Sequence, residues 1–309
     1  MKLLLIGGTG FIGRHLCYSL AAHHQISVFS RHPPSKALAL LQSRNTSFKT
    51  GDITQATHLN EACSGVDCIV YLASTVIPGN SNKDPIFDIQ SNLVGAVNTL
   101  NAAINQGVPR IVFVSSGGTI YGSNTLSLLS ENAATNPICS YGIVKLATEK
   151  YISMYSYSHG LQYGILRLSN PYGPGHLLDK PQGVINHFLK KMLMAEKLEV
   201  WGDGSIERDY IYITDVVKAI KKSIETQHPS LLLNIGTGIP TSINELISVL
   251  SSELGCIPEV EYSTSRSFDV QKSVLDISAA KDLLDWSPQV SLRSGIRLML
   301  ENISQSRRN

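Results

Sequence analysis

Short apolar runs alternate with amphipathic stretches along most of the chain, and this alternation predicts strands and helices in turn. Residues 3–6 form an apolar run that is too short for a core helix and that ends in the glycines of KLLLIGGTGFIG. Residues 11–22 then show the spacing of apolar positions that is typical of a helix. The chain therefore opens with a predicted buried strand, a tight turn and a helix.

The same pattern continues through the rest of the chain. The next strands are predicted over residues 26–30, 47–50, 68–72, 110–114, 165–169 and 231–235. Helices are predicted over residues 92–105, 141–157 and 182–195, with a final helix near the end. Strands that alternate with helices in this way indicate a parallel sheet.

The glycines of the first turn suggest a ligand. Gly7, Gly10 and Gly13 fall three residues apart between the first strand and the first helix. Such a turn lets the backbone approach a pyrophosphate closely at the positive N-terminus of a helix. We therefore predict that Gly7, Gly10, Phe11, Ile12 and Gly13 bind a dinucleotide.

The end of the second strand bears on which dinucleotide is bound. A dinucleotide-binding fold usually has an acid there that binds the adenosine ribose hydroxyls, whereas this chain has Ser30, Arg31 and His32. A guanidinium suits a 2′-phosphate, so Ser30 and Arg31 favour NADP over NAD. The alternative is that Arg31 is a solvated loop charge.

The loops after the next two strands complete the predicted cofactor crevice. Asp52 follows the strand at residues 47–50 and is expected to reach the adenine amine, with Ile53 beside it. Ala73 follows the strand at residues 68–72 and is expected to line the crevice.

Composition and charge argue against several other functions. Charged residues make up 16 % of the chain and the net charge is +2, without a long basic run, so we expect neither a nucleic-acid nor a membrane partner. The first apolar run is too short for a signal peptide or a membrane span. The 5 cysteines lack CxxC spacing and the 9 histidines lack metal-binding spacing, which predicts reduced thiols, a cytoplasmic location and no metal.

Two segments in the middle of the chain carry candidate catalytic groups. The stretch SSGGTIYG at residues 115–122 follows a strand at the edge of the sheet where ligands bind, although a plain serine-rich turn is the alternative. Tyr141 and Lys145 lie four residues apart on a predicted helix and so share one face. The ammonium of Lys145 would favour tyrosinate and lower the pKa of Tyr141, which makes this tyrosine a candidate general acid or base.

These motifs resemble those of a known family. With GGTGFIG, YGIVK at residues 141–145 and NPYGP at residues 170–174 in this order, the chain is similar to the extended short-chain dehydrogenases/reductases of the nucleotide-sugar epimerase, dehydratase and 4-ketoreductase group. The resemblance covers nearly the whole length. It implies that Tyr141 exchanges a proton with a sugar hydroxyl and that Lys145 holds the nicotinamide ribose.

The resemblance also implies a hydroxyl residue that binds the same sugar oxygen. Many relatives have serine or threonine at the position that is Gly117 in this chain. Ser116 is therefore our first choice for this role, and Thr119 is the reserve.

A nucleotide-diphosphate sugar is the partner that the resemblance implies for the second half of the chain. Asn170 would face the substrate, and Trp201 belongs to the same expected site. Arg208, in ERDYIYITD, resembles an arginine that clamps the diphosphate, and Arg266 with Asp269 matches a second arginine and a ribose-binding acid. Solvated surface arginines are the alternative.

Together these features predict an α/β protein with a doubly wound parallel-sheet Rossmann fold and a smaller C-terminal substrate domain over its carboxyl edge. The expected boundaries are residues 1–170 with a return segment at about 209–238, and residues 171–309. Relatives pair two helices like those at residues 92–105 and 141–157 about a twofold axis, so a homodimer is expected. Packing of these helices inside the monomer is the alternative.

Three reactions compete within the family. A dehydratase carries an Asp-Glu pair after the hydroxyl residue. This chain has Gly117, Gly118 and Thr119 there, without a carboxylic acid, so a dehydratase is disfavoured. A 4-epimerase of the UDP-glucose type would oxidise and re-reduce its sugar with one tightly held NAD. A 4-ketoreductase would use NADPH on a 4-keto-6-deoxyhexose, favoured as a dTDP sugar for bacterial polysaccharide synthesis.

Arg31 favours the reductase in the analysis of the sequence, and the epimerase is the alternative. A non-catalytic NADP-sensing protein is a minor third possibility that the intact Tyr141 and Lys145 pair disfavours.

Overall fold

Fourteen strands are present in the computed structural model, which describes residues 1–34, 45–124, 126–175, 183–265 and 270–306. The strands are β1 (Lys2–Ile6), β2 (Gln25–Ser30), β3 (Thr46–Thr50), β4 (Cys68–Tyr71), β5 (Arg110–Ser116), β6 (Gln162–Leu168), β7 (Asn170–Tyr172), β8 (Leu198–Trp201), β9 (Glu207–Arg208), β10 (Tyr210–Tyr212), β11 (Ser230–Ile235), β12 (Thr241–Ser242), β13 (Val260–Ser263) and β14 (Lys272–Ser273). Seven of them form one parallel sheet in the order β11-β6-β5-β4-β1-β2-β3.

Helices cover both faces of this sheet. They are α1 (Phe11–Leu20), α2 (Ala56–Cys63), α3 (Pro78–Ser81), α4 (Pro85–Asp88), α5 (Val94–Asn105), α6 (Ser140–His159), α7 (Val184–Leu193), α8 (Ile213–Glu225), α9 (Ile243–Leu254), α10 (Ser278–Leu284) and α11 (Leu292–Ser306). The strand order reverses between β1 and β4, so the predicted doubly wound Rossmann fold is confirmed. None of the helices in the described part of the chain is long and apolar enough to cross a membrane.

The side chains of β1 show why its sequence lacks polar positions. Leu3 and Leu5 pack in one apolar layer with residues of α1 and α8. Leu4 and Ile6 pack in a second layer with residues of α2, α5 and α6. Each of these four side chains is at most 1 % exposed, because a parallel sheet with helices on both faces buries both sides of its central strands.

The helix predicted over residues 92–105 begins differently in the structure. Residues Ile89–Leu93 form a π-helical turn, and α5 follows from Val94. This turn brings Ser91 and Asn92 inward, where the Thr75 N–H donates to Asn92 Oδ1 at 2.9 Å and the Thr75 and Ser91 hydroxyls lie 2.6 Å apart. The periodicity of apolar residues contains no signal for such a turn, because contacts with a distant loop stabilise it.

Smaller sheets lie on the C-terminal side of the chain. β7 pairs with β10, β9 lies between β12 and β14, and β8 pairs with β13. Asp209, just before β10, is fully buried and accepts hydrogen bonds from Thr237, Gly238 and Leu275. This one carboxylate therefore connects the loop after β11 and the second residue after β14 to the start of β10.

A buried ion pair joins α6 to the sheet. Arg167 Nη2 on β6 lies 2.7 Å from Glu149 Oε2 on α6, and the two side chains are 3 % and 4 % exposed. Ser115 of β5 donates a hydrogen bond to Glu149, and Arg167 Nη1 donates to the Tyr121 hydroxyl at 3.0 Å. That hydroxyl donates in turn to Asn234 Oδ1 on β11 at 2.7 Å. Three adjacent strands and α6 thus share one polar network.

Replacing Glu149 by glutamine should test the cost of breaking this pair. Glu149→Gln leaves the guanidinium of Arg167 buried without a counter-charge, so we expect the free energy of unfolding to fall by about 3–5 kcal/mol. The measurement is the urea midpoint followed by circular dichroism. Glu261→Gln makes the same change in the exposed pair with Lys197, 3.1 Å away, and should leave the midpoint unchanged. Equal midpoints for the two variants would contradict the role given to the buried pair.

Candidate active site

The turn between β1 and α1 is closed by two backbone contacts. Gly7 has a φ of +82°, and a Cβ atom there would lie 2.8 Å from the Ala73 backbone. A Cβ atom on Gly13 would collide with the backbone of Gly8. Only glycine at positions 7 and 13 permits these two approaches, and the second is made to the backbone of Gly8, which the sequence analysis left out of the site.

The N-terminus of α1 has the features that a dinucleotide pyrophosphate requires. Gly10 is the N-cap, its extended backbone offers no side-chain cap, and the first turn carries no acid. The amides of Phe11, Ile12 and Gly13 belong to this turn and lack acceptors within the helix. Glycines that keep side chains away and uncapped amides at a helix N-terminus are what a pyrophosphate requires.

Residues from β2 and β3 lie at the adenosine end of this crevice. The Ser30 hydroxyl donates to the His32 carbonyl at 2.5 Å, so it is already used within the turn. Asp52 Oδ1 accepts from the N–H and the hydroxyl of Thr54, each at 2.9 Å. The backbone hydrogen bond from Thr54 is the largest cause that holds the pKa of Asp52 below its usual range, and the nearby charge of Arg31 lowers it further. Arg31 therefore acts electrostatically on the carboxylate of Asp52, although the two groups form no ion pair within 4.0 Å.

Ile53 and Ala73 occupy different places in the crevice. The Ile53 side chain is buried against Gly95 of α5, so only its backbone is left to face a ligand. Ala73 is half-buried and lies directly against Gly7. Of these two predicted cofactor residues, Ala73 is the one placed beside the glycine turn.

Tyr141 and Lys145 share one face of α6 beside the end of β5. A hydrogen bond with Ser116, the last residue of β5, reaches the Tyr141 hydroxyl. Lys145 is 7 % exposed, its Nζ donates to the Val114 carbonyl at 2.9 Å, and it lies 5.7 Å from the centre of the Tyr141 ring. The structure therefore brings Ser116, Tyr141 and Lys145 together.

The proton affinities of this pair differ from the expectation made from spacing alone. Burial raises the pKa of Tyr141 to about 12, and the hydrogen bond with Ser116 offsets part of that rise. Burial also lowers the pKa of Lys145 to about 8, against the opposing effect of the carboxylates of Glu149 and Asp88. The predicted lowering of the tyrosine pKa by Lys145 is thus not found, because burial dominates the shift of Tyr141 and Lys145 is not among its causes.

Thr119 lies close to the same residues without joining them. Its hydroxyl is buried and has no hydrogen-bond partner among the described residues. Gly142 of α6 packs directly against its backbone. Since only Ser116 reaches the tyrosine hydroxyl, Ser116 stays the first choice for the third catalytic group and Thr119 the reserve.

A cleft of about 710 Å³ includes Asn170, whose side chain lies near Gly118 in the loop after β5, whereas Ser116, Tyr141 and Lys145 are not among its lining residues. It contains three of the five predicted substrate residues, Asn170, Trp201 and Arg208. Asn170 Nδ2 donates to the Asp209 carbonyl at 2.9 Å, and its Oδ1 faces the open space above Gly118. The other two, Arg266 and Asp269, lie outside the described residues.

Side chains of α7 that the sequence analysis did not single out also line the cleft. They are Ile185, Asn186, His187 and Phe188. No chemical motif marks them, since an amphipathic helix of this kind is equally typical of an ordinary core. No group of three or more His, Cys, Asp or Glu within the described ranges could hold a metal ion.

The glycine turn and the cleft are physically connected through α1. His15 Nε2 donates to the Pro174 carbonyl at 2.8 Å, and Arg14 donates to the Gly175 carbonyl. The loop that follows β7 is therefore held against the helix whose N-terminus would receive the pyrophosphate. A cofactor and a substrate would meet across this contact.

Sequence comparison identifies the class of protein. A profile of the NAD dependent epimerase/dehydratase family matches residues 3–236, so the chain belongs to this family. A UDP-glucose 4-epimerase of Mycolicibacterium smegmatis is 32 % identical over 97 % of this chain and 98 % of that protein. A dTDP-4-dehydro-6-deoxyglucose reductase of Escherichia coli is 30 % identical over 97 % of each chain.

Solved structures agree with this assignment. The UDP-glucose 4-epimerase of Thermotoga maritima, determined with UDP-glucose, matches with a TM-score of 0.92 and 33 % identity over 99 % of each chain. The UDP-glucose 4-epimerase of Thermus thermophilus, determined with NAD, matches with a TM-score of 0.88 and 28 % identity over 98 % of this chain and 99 % of that one. The protein is therefore an NAD(P)-dependent enzyme that modifies a nucleotide sugar.

Removing single hydroxyl groups should identify the proton-transfer residues. Tyr141→Phe deletes only the hydroxyl, so we expect turnover to fall by roughly 10²–10⁴-fold while fold and cofactor binding persist. Ser116→Ala should cost more turnover than Thr119→Ala, because only Ser116 reaches the tyrosine. Steady-state kinetics and thermal melting on one set of preparations provide the measurements.

Tyr157→Phe is the matched control for this series. Tyr157 lies on the same helix and its side chain is 94 % exposed, so its variant should turn over like the unmodified protein. Near-native turnover of Tyr141→Phe would show that the site is misassigned. A larger loss for Thr119→Ala than for Ser116→Ala would move the hydroxyl contact to Thr119.

Proposed function

We propose that the protein is an NAD-dependent nucleotide-sugar 4-epimerase of the UDP-glucose type. The observation that carries the proposed hydride and proton transfer at the sugar C4 is the contact of Ser116 with Tyr141 beside Lys145, at the end of β5. Near-full-length similarity to two UDP-glucose 4-epimerases supports the reaction class. The sequence alone favoured a reductase, and this similarity moves our choice to the epimerase.

The proposed roles follow from the chemistry of each side chain. When bound, NAD would supply reversible hydride transfer at the sugar C4. Tyr141 accepts the proton of the C4 hydroxyl and later gives it back, and Ser116 holds the same oxygen. Lys145 holds the nicotinamide ribose, and its ammonium stabilises negative charge on Tyr141.

Inversion at C4 places a demand on the space around the sugar. A hydride that leaves from one face and returns to the other requires the sugar ring to turn, because the cofactor lies on one side of the site. The cleft of about 710 Å³ and the open space above Gly118 would give the sugar ring room to turn. Arg208 and Asn170 would hold the diphosphate or the sugar from the opposite side of the cleft.

We propose the same division of the chain that the motifs predicted. Residues 1–170 with the segment at about 209–238 would bind the cofactor, and the rest of residues 171–309 would bind the nucleotide sugar. The return of α8 and β11 to the main sheet, with β11 paired to β6, supports this division.

NAD is the proposed cofactor, and the surroundings of Arg31 are the physical reason. A 2′-phosphate needs positive charge at the end of β2, but the ionised carboxylate of Asp52 lies near the Arg31 guanidinium. The same carboxylate would repel a phosphate dianion. The NAD seen with the epimerase of T. thermophilus supports this choice.

A homodimer is proposed from exposed apolar side chains on and near α6. Ile143, Tyr151 and Met154 on this helix are 38 to 55 % exposed, and Phe87 and Val94 on the neighbouring segment are 45 and 42 % exposed. Such a surface would be covered if two copies paired these helices.

The second candidate is an NADPH-dependent reductase of a dTDP-4-keto-6-deoxyhexose. Two observations favour it, namely the absence of an acid among Ser30, Arg31 and His32 and the similarity to the reductase of E. coli. Both candidates use the same three side chains for proton transfer. The two reactions differ in whether reduced cofactor is consumed.

The reaction itself can be tested with two assays on one preparation. We expect UDP-glucose and UDP-galactose to interconvert without added NADPH, since the bound cofactor is regenerated in each turnover. Chromatography of the sugars follows the interconversion, and absorbance follows NADPH in the presence of a dTDP-4-keto-6-deoxyhexose. Tyr141→Phe serves as the inactive control. Stoichiometric NADPH consumption without interconversion would establish the reductase instead.

Cofactor choice can be tested independently of the sugar. We expect NADH to bind at least about tenfold more tightly than NADPH, and Arg31→Ala to leave the NADH dissociation constant nearly unchanged. Fluorescence titration of each nucleotide gives both constants. If NADPH bound more tightly and lost about ten- to a hundredfold in affinity on Arg31→Ala, the guanidinium would be a 2′-phosphate ligand and the reductase would be favoured.

A further inference from the structure

A second buried carboxylate lies next to the proposed catalytic pair. Asp88, the last residue of α4, is 0 % exposed. Its Oδ2 accepts from the Ser140 hydroxyl and its Oδ1 from the Asn92 side-chain amide, each at 2.8 Å. Both carboxylate oxygens of Asp88 therefore have a hydrogen-bond donor.

Asp88 connects three parts of the site. Ser140 is the first residue of α6, and its N–H donates to Asn82 Oδ1 at 2.8 Å. Asn92 also donates to Thr75, in the loop that continues from Ala73. The carboxylate therefore fixes the start of the helix that carries Tyr141 and Lys145 relative to the wall of the cofactor crevice.

The same carboxylate faces the reacting groups across a small pocket. Asp88, Tyr141 and Lys145 line this pocket together with Tyr71, and it has room for about one water molecule. With so little water between them, charges in this pocket influence one another more strongly than charges at the surface.

Two carboxylates act on the pair: Glu149 has the larger effect on Lys145, and Asp88 acts on both Lys145 and Tyr141. Glu149, one turn further along α6, is held by Arg167 at 2.7 Å. Tyr71 of β4 and Cys139, just before α6, carry no charge in their ordinary protonated forms. For Asp88, in contrast, no described lysine, arginine or histidine nitrogen lies within 4.0 Å.

We propose that Asp88 is a positioning residue, whose buried negative charge retains the proton of the Tyr141–Lys145 pair and whose hydrogen bonds fix the start of α6. The inference rests on the proposed roles of Tyr141 and Lys145. It assigns Asp88 no contact with the substrate.

The sign of the effect follows from electrostatics. Negative charge at Asp88 opposes the loss of a proton from either member of the pair, and it raises the pKa of both Tyr141 and Lys145. Removing that charge therefore makes the pair lose its proton at lower pH, whichever member releases it. The direction does not depend on how the proton is shared between the two side chains.

The test is the pH dependence of the Asp88→Asn variant, which keeps the size of the side chain and removes its charge. Two midpoints are measured, the acidic limb of kcat/KM for epimerisation and the pH at which NADH affinity declines in fluorescence titrations. We expect both to move to lower pH by about one unit. A residue with a structural role only would change stability or kcat without moving either midpoint.

Asp84→Asn is the matched control, because it removes an exposed carboxylate from the same segment, four residues before Asp88. Asp84 caps α4 by accepting from the Phe87 N–H at 2.9 Å, and asparagine caps equally well. Ser140→Ala, which keeps the charge and removes one hydrogen bond, should also retain the midpoints of the unmodified protein.

Unchanged midpoints in Asp88→Asn would overturn the proposal, whatever the stability of the variant. If Asp88→Asn does not fold, Asp88→Ser removes the same charge, and the same two midpoints decide. The NADH titration needs no sugar, so a protein without epimerase activity would refute the proposed function and still test Asp88.

Discussion

The ion pair between Glu149 and Arg167 is the constraint on which the geometry of the site depends. Two charges that are buried this deeply are stable only when they stay paired and hydrogen-bonded, so α6 cannot slide or rotate on the sheet without breaking them. Glu149 lies one turn beyond Lys145, and its partner Ser115 precedes Ser116. The pair that fixes the helix to β6 therefore also fixes the distance between the tyrosine and the serine with which it shares a hydrogen bond. The relative positions of the catalytic side chains are thus fixed by a buried network of other side chains.

Burial then determines how the site can work. A phenol and an ammonium that are removed from water both become reluctant to carry charge, which is why the pKa of Tyr141 rises to about 12 and that of Lys145 falls to about 8. Without a cofactor or substrate, the Tyr141 phenol therefore stays protonated near neutral pH and cannot accept a proton. The charge balance of the site is therefore completed by what binds there and by the buried carboxylate of Asp88, so proton transfer is coupled to binding.

Local patterns in the sequence predicted much of this protein because the relevant constraints are local. The run before Gly7 is apolar at every position, which indicates a strand buried on both faces, and Tyr141 and Lys145 are one helical turn apart in any helix. Asp88 could not be found in the same way. It stands among apolar residues on a short helix and becomes a buried neighbour of Lys145 only through the π-helical turn that follows it. Contacts of this kind join segments that are more than fifty residues apart, and spacing along the chain contains no information about them.

Arg31 illustrates the same limit at the level of function. Read along the chain, a guanidinium where dinucleotide-binding folds usually have an acid indicates a 2′-phosphate site. In the folded protein β3 lies beside β2, and the carboxylate of Asp52 from the end of β3 comes near that guanidinium. Since a phosphate ligand would have to compete with this carboxylate for the same positive charge, the meaning of Arg31 depends on its neighbour across the sheet. The electrostatics of these two strand ends therefore bears on which cofactor the protein takes, and through the cofactor on whether it acts as an epimerase or as a reductase.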